Sequence, residues 1–162
     1  MSDATTIEID LSSQQMTVFL PDGGMRCYPI SSAKNGPGEQ LNSECTPRGT
    51  HVISEKIGEG EAENAVFVGR KPTGEIYSEA FAKEQPIRDW ILTRIMWLEG
   101  CEEGKNLGGE VDSKKRYIYI HGTPDSTSMR IPGSRGCIRM ANKDVIELFE
   151  QVEVGTTVEI VE

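Results

Sequence analysis

The sequence has few basic residues, only two histidines and no long apolar run. Lysine and arginine number 17 against 26 aspartate and glutamate residues, which gives a formal net charge of -9. Because binding to nucleic acid or to an anionic membrane surface needs clustered positive charge, this balance argues against both partners. A membrane-spanning helix needs about 18 or more consecutive apolar residues, and the sequence contains no such run.

The sequence also lacks the patterns of an export signal and of a disulfide framework. Its first ten residues, MSDATTIEID, contain neither a basic segment nor an apolar one. The four cysteines form no C-x-x-C pair and are irregularly spaced. We therefore expect free thiols in the reducing cytoplasm, or a periplasmic protein if an export signal has been removed. The cysteines are Cys27, Cys45, Cys101 and Cys137.

What is present is typical of one globular domain of ordinary composition. The chain has 162 residues, of which 36% are hydrophobic and 27% charged. A domain of this length buries roughly 70% of its unfolded surface, so its hydrophobic core is large enough for it to fold without disulfides or a structural metal. The sequence predicts a single domain over residues 1–162, and we expect a monomer.

Strand patterns dominate the chain. Ile7 and Ile9 alternate with polar residues, as do Met16 and Val18, and a turn over 21–24 separates them from a return strand. Residues 5–32 therefore predict a meander, which a polar loop over 32–49 follows. Further strands are predicted over 50–57, 64–69, 116–120 and 156–161. Because strands and helices do not alternate, the predicted class is mainly β, arranged as a sandwich.

Two segments show the period of a helix instead. In residues 87–99, Trp90, Ile91, Ile95 and Leu98 fall on one helical face, and Pro86 and Gly100 stand where a helix can begin and end. We interpret Trp90 and Trp97 as core or pocket wall. Residues 143–152 predict a second helix with Asn142 as its N-cap. Its expected buried stripe is formed by Val145, Leu148, Phe149 and Val152.

The segment HGTPDSTSMRIPGSRGCIRM, residues 121–140, carries the strongest chemical signal. It begins with His121, at the end of an apolar strand, and it contains Cys137 after a Gly-Ser-Arg-Gly loop. A histidine can take the proton of a thiol and return a proton to a leaving amine. Backbone N–H groups of a glycine-rich loop can converge on an oxyanion. The residues therefore suggest cysteine–histidine acyl transfer.

Other interpretations fit the same residues. An isolated cysteine is often a small buried hydrophobe, and an isolated histidine is often structural. A zinc site formed by His51, His121 and two cysteines would lack ligand pairs at short spacing. The stretch PGSRG lacks the Lys-Ser/Thr ending of a phosphate-binding P-loop. We therefore expect no metal and no cofactor.

Several motifs together resemble the L,D-transpeptidase catalytic domain family, whose members are also called YkuD-like. The strongest are IHGT, GSRGCIRM and the closing stretch NKDVIELFEQVEVGTTVEIV. IEIDLSSQQMTVFLPDGG resembles the opening hairpin of the family, and PISSAKNG and TPRGTHVI resemble two further family stretches. The resemblance covers nearly the whole chain, and it implies a YkuD-like β-sandwich with the two helices at its periphery.

The resemblance implies a role for each residue of the motif. It makes Cys137 the nucleophile and His121 its base, with the backbone carbonyl of Gly122 orienting the imidazole. The N–H groups of Arg135, Gly136 and Cys137 would form the oxyanion hole. Many family members have histidine where this chain has Arg135, but a role that belongs to the backbone is expected to survive that difference.

Three side chains are candidates for substrate binding. Arg139 would either hold a substrate carboxylate or form a structural ion pair. The Arg135 side chain would contact a substrate or leaving-group carboxylate. Ser134 is expected to shape the loop rather than to react.

By the same resemblance, the substrate is a peptidoglycan stem peptide or muropeptide. The family attacks the carbonyl on the L-centre of the third residue, releases the terminal D-alanine and forms an acyl-enzyme. We expect a cytoplasmic L,D-carboxypeptidase of wall recycling. The alternatives are an L,D-transpeptidase that forms crosslinks and a muropeptide-binding or sensing domain without catalysis.

Overall fold

The fold consists mainly of β-strands. It is taken from a computed structural model that describes residues 4–85 and 88–162. Within those residues the strands are β1 (Thr6–Asp10), β2 (Gln15–Phe19), β3 (Met25–Pro29), β4 (Gly49–Ile57), β5 (Ala65–Val68), β6 (Lys71–Ile76), β7 (Leu92–Gly100), β8 (Tyr119–Thr123), β9 (Ile138–Ala141) and β10 (Thr157–Val161). The helices are α1 (Glu79–Lys83), a short 3-10 helix (Gly109–Val111) and α2 (Asn142–Gln151). The predicted mainly β class is confirmed.

All ten strands of the described chain belong to one sheet. The meander β3-β2-β1 continues through β10 and β4 to β7, with β1 and β10 parallel. On its other edge β7 pairs with β8, and β8 pairs in parallel with β9. Beyond the end of β4, the hairpin β5-β6 joins β7. The predicted meander over residues 5–32 is confirmed.

The sheet curls until its two ends meet. Ser31, just after β3, exchanges two backbone hydrogen bonds with Arg139 of β9, of 3.0 and 2.9 Å. The main hydrophobic core lies inside this curl, where side chains of β1, β2, β7, β8 and β10 meet one face of α2. A smaller cluster on the opposite face of β7 and β8 contains Ile95 and Tyr119, and Cys137 packs against it. Side chains alternate between the two faces of a strand, so neighbouring side chains of β8 lie in turn in the smaller cluster and in the main core.

The predicted helix over 87–99 is wrong, because residues 92–100 form the central strand β7. Ile95, Met96 and Leu98 are all buried, since β7 is covered on both faces. A strand of this kind has a nearly continuous apolar run, which also matches a helical stripe. Pro86 and Ile87, the expected start, lie outside the described residues. Gly100 ends a strand, and the first helix of the described chain is instead the short α1, with Ser78 as its N-cap.

The second predicted helix is confirmed, but its cap is not. Helix α2 spans Asn142–Gln151, one residue before the predicted bounds, and the predicted stripe is buried. Ala141 is the N-cap, while the Asn142 side chain turns inward and accepts a hydrogen bond from Thr93 Oγ1 at 2.6 Å. Among the described residues, no helix has the length and apolar character needed to cross a bilayer.

The strand predicted over 116–120 is shifted, because β8 spans Tyr119–Thr123. Residues before it form a turn, in which Tyr117 has a φ of 58°. A left-handed backbone cannot continue a strand, so the strand begins only afterwards. His121 and Gly122 consequently lie inside β8, where hydrogen bonds fix them on both sides, rather than after its end.

We predict that Ile120→Ala lowers the free energy of unfolding by about 2–5 kcal/mol, since it leaves a cavity in the main core. Ile120 is fully buried and points away from Tyr119 and His121, its neighbours in β8. Urea denaturation followed by circular dichroism measures the change. The exposed Ile131→Ala is the matched control, with an expected change within about 0.5 kcal/mol. Equal effects of the two substitutions would contradict the inward orientation of Ile120.

Candidate active site

Parallel pairing of β8 with β9 places His121 and Cys137 on the wall of one cavity. His121 is in register with Arg139, so Cys137, two residues earlier, lies beside Tyr119. Alternate residues of a strand share a face. All four side chains therefore reach the same cavity, which has a volume of about 310 Å³. Its lining residues are Arg70, Asp89, Ile91, Tyr117, Tyr119, His121, Ser134, Arg135, Cys137 and Arg139.

The Cys137 sulfur is held by backbone groups at the start of β8. It accepts a hydrogen bond from the Tyr119 N–H and donates one to the Tyr117 carbonyl, each at 3.3 Å. Burial raises the pKa of the Cys137 thiol to about 12, the nearby carboxylate of Asp89 adds to that rise, and the Tyr119 N–H opposes it. The resting group is therefore a neutral thiol that needs a base to become a nucleophile.

His121 is placed to be that base. Its side chain is buried, and Nδ1 lies 2.6 Å from the Gly122 carbonyl oxygen. A carbonyl only accepts, so Nδ1 carries the proton and Nε2 has the free lone pair. Burial lowers the pKa of the imidazole, which keeps it neutral and able to accept a proton. The predicted partnership of His121 with the Gly122 carbonyl is present, while direct hydrogen-bond reach between His121 and Cys137 stays a prediction.

The loop before Cys137 is shaped by Ser134. Its Oγ donates to the Cys137 carbonyl at 2.6 Å and accepts from the Gly136 N–H at 3.1 Å. In the described chain the N–H groups of Arg135 and Cys137 donate to no protein acceptor. Of the three predicted oxyanion donors, two are thus open and that of Gly136 is occupied. Ser134 itself is nearly inaccessible, which fits the loop-shaping role expected for it.

Gly136 adopts a conformation that disfavours other residues. Its φ is 134°, and an added Cβ would lie 3.1 Å from Ile118 Cδ1 and 3.2 Å from the Cys45 carbonyl oxygen. Thr46, which is fully buried, donates from its hydroxyl to the Gly136 carbonyl at 2.8 Å. The polar loop over 32–49 therefore braces the loop that carries the cysteine.

Arg139 forms an ion pair and also lines the cavity. Its Nη2 lies 3.2 Å from Asp89 Oδ1, while its Nε is buried without a protein partner in the described chain. The ion pair considered for Arg139 from the sequence is thus present, while its role in holding a substrate carboxylate stays a prediction. Arg135 is exposed at the cavity mouth.

Sequence reasoning missed several residues of this site. Asp89 and Arg70 reach it from the segment between β5 and β7, and the aromatic side chains of Tyr117 and Tyr119 form one wall. Asp89 fell within the segment interpreted as a helix, and Arg70 sits in a hairpin turn with no motif. His51, the other histidine, is buried elsewhere, 2.8 Å from Ser113 Oγ and 3.0 Å from the Gly49 carbonyl oxygen.

We predict that, in a His121→Ala variant that lacks the base, alkylation of Cys137 by iodoacetamide keeps accelerating with pH well above pH 9. The pKa of the thiol is raised to about 12, so its thiolate fraction continues to grow where an ordinary thiol, with a pKa of about 8.5, has levelled off. Peptide mapping measures the rate at Cys137, and a short unstructured cysteine peptide is the reference. A plateau near pH 9 under conditions that preserve the fold would contradict the prediction.

Together these features define a β-sheet domain in which a thiol and a neutral imidazole line one cavity, next to a loop with two N–H groups that have no protein acceptor in the described chain. Such a combination is typical of proteins that use a cysteine for acyl transfer. The family model of the L,D-transpeptidase catalytic domain (YkuD) matches residues 4–160. The chain belongs to this family, as its motifs indicated.

Relatives with curated names agree with this assignment. A probable L,D-transpeptidase ErfK/SrfK of Salmonella typhimurium is 31% identical over 129 residues, which are 72% of this chain and 40% of the relative. A putative L,D-transpeptidase YkuD of Bacillus subtilis is 52% identical over 46 residues, 28% of each chain. The chain thus matches less than half of the length of either relative.

Solved structures show the same fold. L,D-transpeptidase 3 from Mycobacterium tuberculosis, in complex with a faropenem-derived adduct, superposes with a TM-score of 0.60 at 16% identity. The match covers 98% of this chain and 60% of that one. An L,D-transpeptidase from Mycobacterium smegmatis gives a TM-score of 0.55 at 16% identity, over 98% and 59% of the two chains.

Proposed function

We propose that this protein performs cysteine-dependent acyl transfer on peptidoglycan stem peptides, with Cys137 as nucleophile and His121 as base. The observation that carries the proposal is the shared cavity, which the Cys137 thiol and the His121 imidazole both line, beside a loop in which the N–H groups of Arg135 and Cys137 have no protein acceptor in the described chain. Family membership supplies the substrate class, and a structural relative that carries a faropenem-derived adduct supports acylation chemistry at such a site.

The first half of the reaction forms a thioester. As His121 Nε2 takes the thiol proton, the sulfur attacks the carbonyl carbon at the L-centre of the third stem residue. The carbonyl oxygen becomes an oxyanion, which the N–H groups of Arg135 and Cys137 stabilise. Collapse of this intermediate breaks the C–N bond, and the leaving D-alanine takes the proton from the imidazolium. The second half transfers the acyl group to water or to an amine.

Water is the acceptor that we favour, which makes the protein an L,D-carboxypeptidase that trims tetrapeptides to tripeptides. A peptide acceptor needs a second groove beside the thioester, whereas water needs none. A neighbouring cavity of about 220 Å³ shares Asp89 and Arg139 with the first. The ion pair between these two residues lies where the cavities adjoin and narrows the route that an acceptor peptide would need.

Transpeptidation is the second candidate function, because the neighbouring cavity could hold an acceptor peptide. It is lined by Trp90, Thr123 and Pro124 besides the ion pair, so it has surface on which an acceptor peptide can lie. If the side chain of Asp89, the more exposed partner of the ion pair, moved away from Arg139, the two cavities would join. The ratio of hydrolysis to transfer therefore depends on how firmly Asp89 holds Arg139.

The compartment is proposed to be the cytoplasm, with soluble muropeptides from wall recycling as substrates. All four cysteines lie within the described residues as free thiols, which suits a reducing compartment. Cell fractionation of the full-length protein tests this proposal. Recovery in the periplasm would overturn it and would favour crosslink formation.

One assay separates the candidate activities. Purified protein is incubated with a disaccharide tetrapeptide, with and without an excess of an amine acceptor, and products are identified by mass spectrometry. Hydrolysis gives the tripeptide in both samples, whereas transfer gives an amine adduct in the second. Tight binding without any product would indicate a sensing domain and would overturn the catalytic proposal. Asp89→Asn is expected to raise the share of transfer product.

A further inference from the structure

Arg70 occupies a backbone position that arginine ordinarily avoids. It is the second residue of the two-residue turn Gly69-Arg70, which joins β5 to β6, where Val68 pairs with Lys71. Both turn residues have positive φ, 58° for Gly69 and 65° for Arg70. Two successive positive φ values are typical of a type I′ hairpin turn, which favours glycine, asparagine or aspartate at these places. The turn itself therefore does not account for an arginine.

The Arg70 side chain is fixed against the aromatic wall of the active-site cavity. Its guanidinium lies over the Trp97 ring at 4.6 Å and near the Tyr117 ring at 5.3 Å, measured to the ring centroids. Nη1 donates a hydrogen bond to the Tyr119 hydroxyl at 3.1 Å. Stacking of this kind orients the planar guanidinium before any ligand arrives, so less rotamer freedom is lost on binding.

The guanidinium retains donors that no protein group uses. In the described chain Arg70 has no ion pair, and its hydrogen bond to Tyr119 uses one of five N–H donors. The pKa of the Arg70 guanidinium is raised, first by its hydrogen bond to the Tyr119 hydroxyl and last by the charge of Glu55, with which it forms no ion pair. Arg139, by contrast, is already paired with Asp89. Arg70 is therefore a positive charge held in the cavity wall and open to an anion.

Tyr119 sets how far this charge lies from the reacting sulfur. Its backbone N–H meets the Cys137 sulfur, while its hydroxyl, at the other end of the side chain, meets Arg70. A carboxylate bound to Arg70 is thus separated from the reacting carbon by about the length of a tyrosine side chain. A carboxylate attached directly beside the scissile bond cannot span that distance, whereas one at the end of an extended side chain can.

We propose that Arg70 binds a carboxylate at the end of the acyl-donor side chain, an inference that rests on the function proposed for Cys137. The substrate class is a stem peptide whose third residue is a diamino dicarboxylic acid with its distal carboxylate free. Amidation of that carboxylate, or a diamino acid that lacks it, removes the charge that Arg70 recognises. Such stems are expected to react more slowly.

Thiol-reactive probes test the subsite without requiring peptide turnover. N-iodoacetyl ω-amino acids of increasing chain length, and the matching terminal amides, alkylate Cys137 at rates that peptide mapping follows. We expect the acid to react about tenfold faster than the amide at one intermediate chain length and Arg70→Met to remove that preference. Arg26→Met, at an exposed arginine of β3 outside the cavity lining, is the matched control and is expected to retain it.

Two further variants separate recognition from folding. Asparagine tolerates a left-handed backbone, so Arg70→Asn is expected to keep the thermal midpoint while losing the preference for the acid probe. Arg70→Lys keeps the charge without the planar fork and is expected to retain part of the preference. A preference that persists in Arg70→Met and Arg70→Asn, both folded by circular dichroism, overturns the proposal.

Failure of the subsite and failure of the proposed function give different results. Equal turnover of free-acid and amidated stems, unchanged by Arg70→Met, overturns the subsite and leaves the acyl-transfer function intact. Conversely, selective alkylation by the acid probes without turnover of any stem peptide supports carboxylate binding by Arg70 and overturns the proposed function. Turnover that favours the free-acid stem in the wild type and loses this preference in Arg70→Met supports both.

Discussion

Replacing Cys137 by alanine is expected to lower stem-peptide turnover by about 10⁴-fold or more. Without the sulfur no thioester can form, and only binding and the open N–H groups of the loop remain. The fold should be unaffected, because Cys137 is half-buried as a residue and packs at the edge of the smaller hydrophobic cluster. Turnover is measured by release of D-alanine from a disaccharide tetrapeptide.

The other three cysteines are the controls for this result. Cys27 and Cys101 are exposed, and Cys45 lies in the loop that braces Gly136 without lining the cavity. We expect Cys27→Ala, Cys45→Ala and Cys101→Ser to retain most of the turnover. Wild-type turnover by Cys137→Ala, or its loss on substitution of Cys27 or Cys101, would show that the nucleophile has been assigned wrongly.

Carbapenems and penems are expected to acylate Cys137, and His121→Ala is expected to slow that acylation by about 10²–10³-fold. Attack opens the strained four-membered ring, which makes the step favourable once a thiolate is available. The pKa of the Cys137 thiol is raised to about 12 by burial, so a negligible fraction is ionised at pH 7 without a base. His121, whose pKa is lowered by burial, is neutral at that pH and can accept the proton.

The pH dependence of acylation follows from the direction of the two shifts. The ordinary pKa of an imidazole is about 6.5. Because the pKa of His121 is lowered, the base stays unprotonated below that pH. Acylation should therefore stay fast in mildly acidic solution and decline only when the pH falls below the lowered pKa of His121. In His121→Ala the rate should instead climb with pH toward the raised pKa of the thiol. This difference between the pH profiles of the wild type and of His121→Ala is expected only if the thiol and the imidazole act as a pair.

Intact-protein mass spectrometry after incubation with the drug measures the adduct, and peptide mapping locates it. An adduct on Cys45 or Cys101 in place of Cys137 would contradict the assignment. So would equal rates of acylation in the wild type and in His121→Ala at pH 7. The substitution His51→Ala is not a suitable control, because His51 bonds two buried partners and its loss would perturb the fold. Ser12→Ala, at an exposed turn, serves that purpose.

The parts of the fold that sequence predicts well are those with local signals. The meander of β1 to β3 has one apolar face, so its residues alternate in sequence as they do in space. Helix α2 buries one stripe, and its period was recognised to within one residue at each end. The candidate nucleophile and base were found because both lie in one continuous segment, residues 121–140, that carries a specific motif.

The prediction of secondary structure failed where a strand is buried on both of its faces. Strand β7 is covered on both faces, and the irregular step at Thr93, whose φ is 74°, disturbs any alternation that remains. Apolar residues on both sides of a strand and apolar residues around a helix give the same pattern of letters. The boundaries of β8 failed for a related reason, since the left-handed turn at Tyr117 has no glycine to mark it.

By itself, the sequence determined the family, the mainly β class and the candidate pair of His121 and Cys137. Tertiary structure alone decided what surrounds that pair. Arg70 meets Tyr119 across 49 positions of the chain, and Asp89 meets Arg139 across 50. Tertiary structure also buries the thiol and the imidazole, which sets their protonation. A local pattern reports only on neighbours within a few residues, whereas charge, burial and hydrogen bonding in the cavity come from segments that the curled sheet brings together.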